Sequence, residues 1–432
     1  MKVIRSLMFF LVILNISCDS KSKNDELAQK IKENKDFQII KEKAREVIAT
    51  GFNAGDGYGE VWIRDYNTFI ELACEVYPAE EIEENLLVFF KLQGKEGSIV
   101  DGFIPKSKAK ETEGGYQYIY SDLEPVYCGH KNTVETDHES SLVQAVFKYV
   151  HQTGNRDFLE QEVGAMTVAE RMGMAMDFLM KKRWSEEHKL IYGATTADWG
   201  DVQHQHPWGV YITDETHFCV DIYDNAMFLI ALENLMELVP SYESKWRPVH
   251  EMISKNTIKT LWDTENQKFI PHVYLDESPY PDDFDENEIY YHGGTAVAIE
   301  AGLLNKGQIK VSLDKMIDNV KKSGAGSIGL TLYPPYPEWA FENKGMYPYG
   351  YQNGGDWTRF GARIIQQLIN YGFVQEAYDQ LLPMTSRVIE NDGFYEWYTV
   401  ENKPEGSGTF RGSAGVLYKS IALLENWAKL NQ

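Results

Sequence analysis

The sequence predicts an all-α protein closed into an (α/α)6 toroid, with a cavity beneath one of its two rims. Three observations carry that expectation. Helical periodicity, with apolar residues returning every three or four positions, recurs in twelve successive stretches. The links between stretches alternate between a few residues and roughly a dozen to forty. No residue-level repeat of the kind found in helical solenoids accompanies them.

In chain order the helical stretches are 30–50, 62–77, 82–94, 137–153, 156–183, 221–238, 243–261, 292–304, 306–321, 355–371, 373–390 and 411–430. The segment "DIYDNAMFLIALENLMELV" from Asp221 is apolar on nearly every side, which places it in a buried inner position. "EAYDQLLPMTSRVIEN" has one apolar and one polar face and belongs outside. Short links such as "PAEE", "GN", "PSYE", "NK" and "YGF" make antiparallel neighbours. If the helices alternate up and down, every short link falls on one rim and every long loop on the other. Such an arrangement closes into a double ring.

Composition narrows the function. A chain of 432 residues, 43% of them apolar, can bury a large core. A formal charge of −23 repels phosphate backbones and anionic lipid headgroups, which argues against a nucleic-acid partner. The opening "MKVIRSLMFFLVILNISC" has Lys2 and Arg5, a short apolar run, small residues and Cys18. This reads as an export signal of lipoprotein type over 1–18, with Cys18 the lipidated residue. A polar tether over 19–29 and one catalytic domain over 30–432 are expected to follow. The membrane is then met only through the N-terminal lipid anchor. Cys74, Cys128 and Cys219 show no paired metal-site spacing and read as small core residues.

Polar signals gather where long loops meet inner helices: "GDGYGEVWIRDY", "ETDHESS", "TTADWGDVQHQHPWGVY", "YYHGGT", "GYQNGGDWTRF" and "DGFYEWYTVENKPEGSGTFRGSAGVL". Their convergence on one cavity is the usual geometry of a binding site. Trp62, Arg64 and Asp65 offer a stacking face, a guanidinium and a carboxylate suited to vicinal hydroxyls. Gly354 and Gly355 let the chain turn before Asp356 begins a helix, leaving Gln352 and Asn353 to bond hydroxyls. Asp198 and Asp201 flank Trp199, and apolar surroundings with a second carboxylate nearby keep one of them protonated. Glu396 sits among Phe394, Tyr395, Trp397 and Tyr398. His204 and His206 suggest no third metal ligand, and the acidic run 281–288 lacks the ligand spacing of a calcium loop, so no metal is expected.

In this order "VWIRD", "ADWGDVQ…GVY", "QNGGDW" and "FYEWY…GSGTFRGSAG" resemble the motifs of the six-hairpin glycosidases. The likeness is to the group of neutral/alkaline invertases, trehalases, processing α-glucosidases and the glucosidase half of glycogen debranching enzymes. The resemblance implies a general acid at Asp201, with Asp198 the alternative, and a general base at Glu396. It further implies that Arg64 and Asp65 hold the sugar, that Gln352 through Trp357 line the pocket, and that Tyr395 and Trp397 help shape it. An inverting, exo-acting hydrolase of α-glucosides or related oligosaccharides would follow, using water and no cofactor. "QHQHPWGVY" lacks the invertases' double arginine, which argues against sucrose. The competing readings are a non-catalytic carbohydrate-binding lipoprotein, or a phosphorylase or epimerase on the same barrel.

Overall fold

The computed structural model describes residues 23–110, 117–207 and 210–431. The expected signal segment and Cys18 lie outside them. We number the helices α1 (Lys35–Ile48), α2 (Ile63–Val76), α3 (Ala79–Lys91), α4 (His138–Thr153), α5 (Val168–Lys182), α6 (Ile222–Leu238), α7 (Glu243–Leu261), α8 (His292–Glu300), α9 (Lys306–Ser323), α10 (Thr358–Asn370), α11 (Val374–Asn391) and α12 (Arg411–Leu430).

The even-numbered helices form the inner ring. Each packs against the next, from α2 through α4, α6, α8 and α10 to α12, and α12 returns to pack against α2. The odd-numbered helices lie around them: α3 on α2 and α4, α5 on α4 and α6, α7 on α6, α9 on α8, α11 on α10 and α12, and α1 on α12, α11 and α2. Burial follows this division. Helix α6 buries residues on all sides, whereas α11 buries Val374, Ala377, Leu381, Met384, Thr385, Arg387 and Val388 along one face. The fold is the (α/α)6 toroid, and the N-termini of the inner helices point to the long-loop rim.

Several boundaries differ from expectation for local reasons. The fifth helix starts at Val168, not near 156. A short 3-10 turn (Arg156–Glu160) and a hairpin pairing Glu162–Val163 with Met166–Thr167 come first. A capping box of Thr167 and Glu170 then fixes the helix start. Phe158, Leu159 and Val163 are buried, so the apolar pattern continues across a stretch that is not helical. The tenth helix begins at Thr358, because Asp356 pairs with Leu330 and Tyr398 in extended bridges. The expected polar tether is partly helical: residues 23–33 form a helix that buries Leu27, Ala28 and Ile31. Asn34 separates it from α1 by accepting a 3.1 Å hydrogen bond from the Asp36 amide.

Short strands occur in the long loops. The largest sheet places Val61–Trp62 beside Gly102–Pro105, then Glu124–His130, then Ile119–Ser121. It thereby fixes the loop before α2 against the loop before α4. Cys74, Cys128 and Cys219 are unpaired, the last two buried, as small core residues should be. No helix among the described residues is long and apolar enough to cross a membrane.

Candidate active site

A cavity of about 460 Å³ opens under the long-loop rim. Five of the six long loops reach it: Tyr58 and Trp62 from the first, Asp101, Asn132 and Glu135 from the second, Trp199 and Asp201 from the third, Tyr351, Gln352 and Trp357 from the fifth, and Glu396 and Phe410 from the sixth. Arg64, Asp65, His138 and Arg359 line it from the first turns of inner helices. The fourth loop does not line it. Its Tyr280, Ile289 and Tyr291 instead build a second apolar cluster with Tyr336, Phe341 and Met346, which backs the fifth loop.

Asp201 and Glu396 therefore face one space from distant parts of the chain. Burial pushes the Asp201 carboxyl up to about 6, aided by the Glu135 charge and opposed by Arg64 and Gln352. Asp201 Oδ1 is buried with no hydrogen-bond partner among the described residues, and its amide donates to Gln352 Oε1 over 3.2 Å. Burial pushes Glu396 up to about 7, opposed by hydrogen bonds from Tyr58 and the Ser407 amide. The Tyr58 hydroxyl donates across both carboxylate oxygens, at 3.0 and 2.9 Å, and the Ser407 amide donates to Oε2 at 3.3 Å. Gly406 makes room for this cradle, since a Cβ there would lie 2.5 Å from Oε2. The hydrogen bonds favour charge on Glu396, while the unpartnered Asp201 oxygen is left to meet a ligand. The two values taken alone put a shared proton on Glu396 more often than on Asp201.

Beside this pair runs a chain of charges. Arg64 donates from Nε and Nη2 to the two oxygens of Asp137, each at 2.9 Å, and from Nη1 to the Trp199 carbonyl at 3.1 Å. Its Nη2 also lies 2.5 Å from Glu135 Oε1. The other Glu135 oxygen is 2.6 Å from His138 Nε2, and Lys131 Nζ donates to His138 Nδ1 over 3.1 Å. Burial raises Glu135 to about 8 and lowers His138 to about 4. On the neighbouring wall Arg359 donates to Asp65 Oδ1 at 3.1 Å and to the Arg64 carbonyl at 3.0 Å. Asp101, Glu135 and His138 bring three potential ligand atoms within 4.8 Å of one another. Arg64 and Lys131 already occupy the places beside Glu135 and His138, a donor set suited to internal ion pairs rather than to a metal.

Other residues singled out in the sequence have different surroundings. Asp198 lies behind the cavity wall, where its oxygens accept 2.7 Å hydrogen bonds from the Gly293 and Gly294 amides at the start of α8. Side chains at those glycines would collide with it, which accounts for the glycine pair of "YYHGGT". Of the two aspartates, Asp201 is the one that lines the cavity. Asn353 spends its amide on the backbone of Tyr336 and Met346 and has none left for a hydroxyl. Asp356 is fully buried, bound by Ser327 and Arg387, and does not cap α10. Gly354 donates its amide to Thr331 Oγ1. Tyr395 and Trp397 do not line the cavity, because side chains alternate along the extended segment and Glu396 takes the inward position. Trp199 does line it, stacked on Phe360 with centroids 4.5 Å apart.

His204 bonds the Ala340 carbonyl and His206 meets Thr213 Oγ1 at 3.0 Å, so the two do not converge. Most of 281–288 is exposed, as a solvated run should be, but Glu286 is buried and bound by His272, Tyr274 and Tyr336. Sequence reasoning passes over Tyr58, Glu135 and Arg359. Tyr58 lies within the quoted "GDGYGE", but its partner is 338 positions away.

No family model matches the sequence, and no curated protein matches it. Solved structures do. A GH63 mannosylglycerate hydrolase of Thermus thermophilus, in complex with Tris and D-glycerate, is 16% identical; the match covers 88% of this chain and 99% of that one, with a TM-score of 0.61. A rhamnosidase of Klebsiella oxytoca with rhamnose bound is 10% identical over 89% of this chain and 63% of that one, TM-score 0.57. A GH78 rhamnosidase of a Bacillus species is 14% identical over 89% and 34%, TM-score 0.58. At such identities the likeness is one of fold. The chain has the six-hairpin (α/α)6 architecture shared by these glycosidases.

Proposed function

We propose that this protein is a glycoside hydrolase in which Asp201 protonates the leaving oxygen and Glu396 activates water. The observation that carries the reading is that both carboxyls, each raised by burial, line the same cavity beneath the long-loop rim. Cleavage at an anomeric carbon needs one carboxyl group to donate a proton and another to take one from water. The neighbours of this fold act on or bind sugars by their own descriptions, which supports the same class here. We extend the reading to an inverting, exo-acting enzyme on α-glucosides or related oligosaccharides. The export signal and Cys18 would tether it to the cell envelope. A cavity enclosed by five loops suits the end of a chain better than its middle.

The test is a panel of disaccharides and oligosaccharides with chromatography of the products, run on the wild type, Asp201→Asn and Glu396→Gln. Both variants should bind sugar and lose turnover. Full activity in Glu396→Gln removes the assigned base. Turnover that depends on added phosphate makes the protein a phosphorylase, and saturable binding with no released monosaccharide makes it a binding protein.

A further inference from the structure

We propose that Glu135 sets the charge class of the substrate: by engaging Arg64 it makes the leaving-group side of the cavity receptive to uncharged glycosides and closed to anionic ones. This rests on the hydrolase reading and deepens it.

The cavity is lined by five carboxyl groups, those of Asp65, Asp101, Glu135, Asp201 and Glu396, against two guanidiniums. Both guanidiniums are already paired with carboxylates, and Arg359 Nε, which has no hydrogen-bond partner among the described residues, is buried. Arg359 is held by Asp65, and Arg64 by Asp137 and Glu135 together. Lysine is absent from the lining among the described residues, and Lys344, which stands between the lining residues Asn343 and Gly345, is exposed and outside it. The sequence adds that 111–116 and 208–209 contain neither lysine nor arginine. A carboxylate, phosphate or sulfate entering this space would lose its water without gaining a free counter-charge, a costly exchange.

Glu135 is the group that decides the matter on the leaving-group side. Asn132 ties it to Asp201, accepting from the Glu135 amide at 3.3 Å and donating to the Asp201 carbonyl at 3.4 Å. An aglycone whose oxygen rests on Asp201 therefore sits beside Glu135. Without the Glu135 carboxyl, Arg64 would keep its bidentate Asp137 partner but release the Nη2 contact that Glu135 Oε1 now takes. A guanidinium edge facing an anionic aglycone would then be open.

Two measurements on the full chain test this. First, isothermal titration of the wild type uses three ligands of one branched-polyol shape: trimethylolethane (neutral), Tris (ammonium) and dimethylolpropionate (carboxylate). The carboxylate should bind at least about tenfold more weakly than the neutral polyol, with the gap narrowing at high salt. Equal binding of the two overturns the inference. Second, kcat/KM for para-carboxyphenyl over para-carbamoylphenyl α-glucoside is compared between the wild type and Glu135→Ala. The ratio should rise about tenfold or more in the variant, and an unchanged ratio overturns the inference. The ratio cancels any shared loss of acid catalysis, and the wild-type titration stands even where the variant fails to fold. If the wild type cleaves no member of a wider glycoside panel, the hydrolase reading fails, while the titration still judges the charge selection.

Discussion

Tyr58→Phe is the perturbation that examines the site most closely. With Asp201 raised to about 6 and Glu396 to about 7, the singly protonated form of the two carboxyls is commonest between those values. A tenfold preference for Glu396 leaves roughly one singly protonated molecule in ten with the proton on Asp201 and the charge on Glu396. The Tyr58 hydroxyl, 3.0 and 2.9 Å from the two Glu396 oxygens, keeps that fraction from being smaller. A hydrogen bond to a charged group contributes about 1.5–3 kcal/mol, or roughly one to two pKa units. Its removal should raise Glu396 further and cut the productive fraction about 10–100-fold. The assay is kcat/KM against pH, which reports the free enzyme. The maximum should fall by that factor while the alkaline limb moves up in pH. A purely structural tyrosine would lower the whole profile evenly and leave the limb in place, and that result refutes the reasoning.

Asp201→Asn should lower turnover about 10²–10⁴-fold on alkyl glycosides and much less on nitrophenyl glycosides, whose leaving group needs little protonation; equal losses on both would contradict an acid role. Asp198→Asn should act on stability, because one of the two oxygens that accept from the Gly293 and Gly294 amides becomes an NH2 group facing an N–H. We expect a loss of about 1–3 kcal/mol in denaturant unfolding with kcat little changed, and the opposite pattern would return Asp198 to candidacy as the acid. Glu396→Gln should stabilise the protein at alkaline pH. Raising this carboxyl from 4.5 in the unfolded chain to about 7 in the folded one means that folding favours its neutral form. Stability from the group is present below 4.5 and is lost as pH rises through 7. The variant should match the wild type near pH 4 and exceed it by about 3 kcal/mol at pH 8, measured by urea unfolding at each pH.

The ring is legible because it rests on one-dimensional quantities, helix periodicity and link length. The inner helices are those entered from long loops, and contacts among them close the circle. The link before α5 misleads because Phe158, Leu159 and Val163 are buried at spacings a helix also produces. At the site, Glu396 and the pair Asp198 and Asp201 stand out by their aromatic neighbours, but those flanks do not choose between the two aspartates; the family resemblance does. What spacing cannot show is who else claims each polar group. The sequence presents Arg64 as a free sugar ligand, but Asp137 and Glu135 engage it from elsewhere in the chain. Asn353 and Asp356 satisfy backbone and arginine partners that only the folded loops bring near. Tyr58 gains its meaning from a carboxylate contributed by the last loop.

A crystal structure with a cationic iminosugar bound is the most direct measurement of the central claim. The ring nitrogen should lie between Asp201 and Glu396, with the carboxyl groups roughly 6.5–9.5 Å apart and a water held by Glu396 on the face opposite the leaving group. A separation near 5 Å would point to a retaining enzyme, and an inhibitor seated away from both side chains would contradict the account outright.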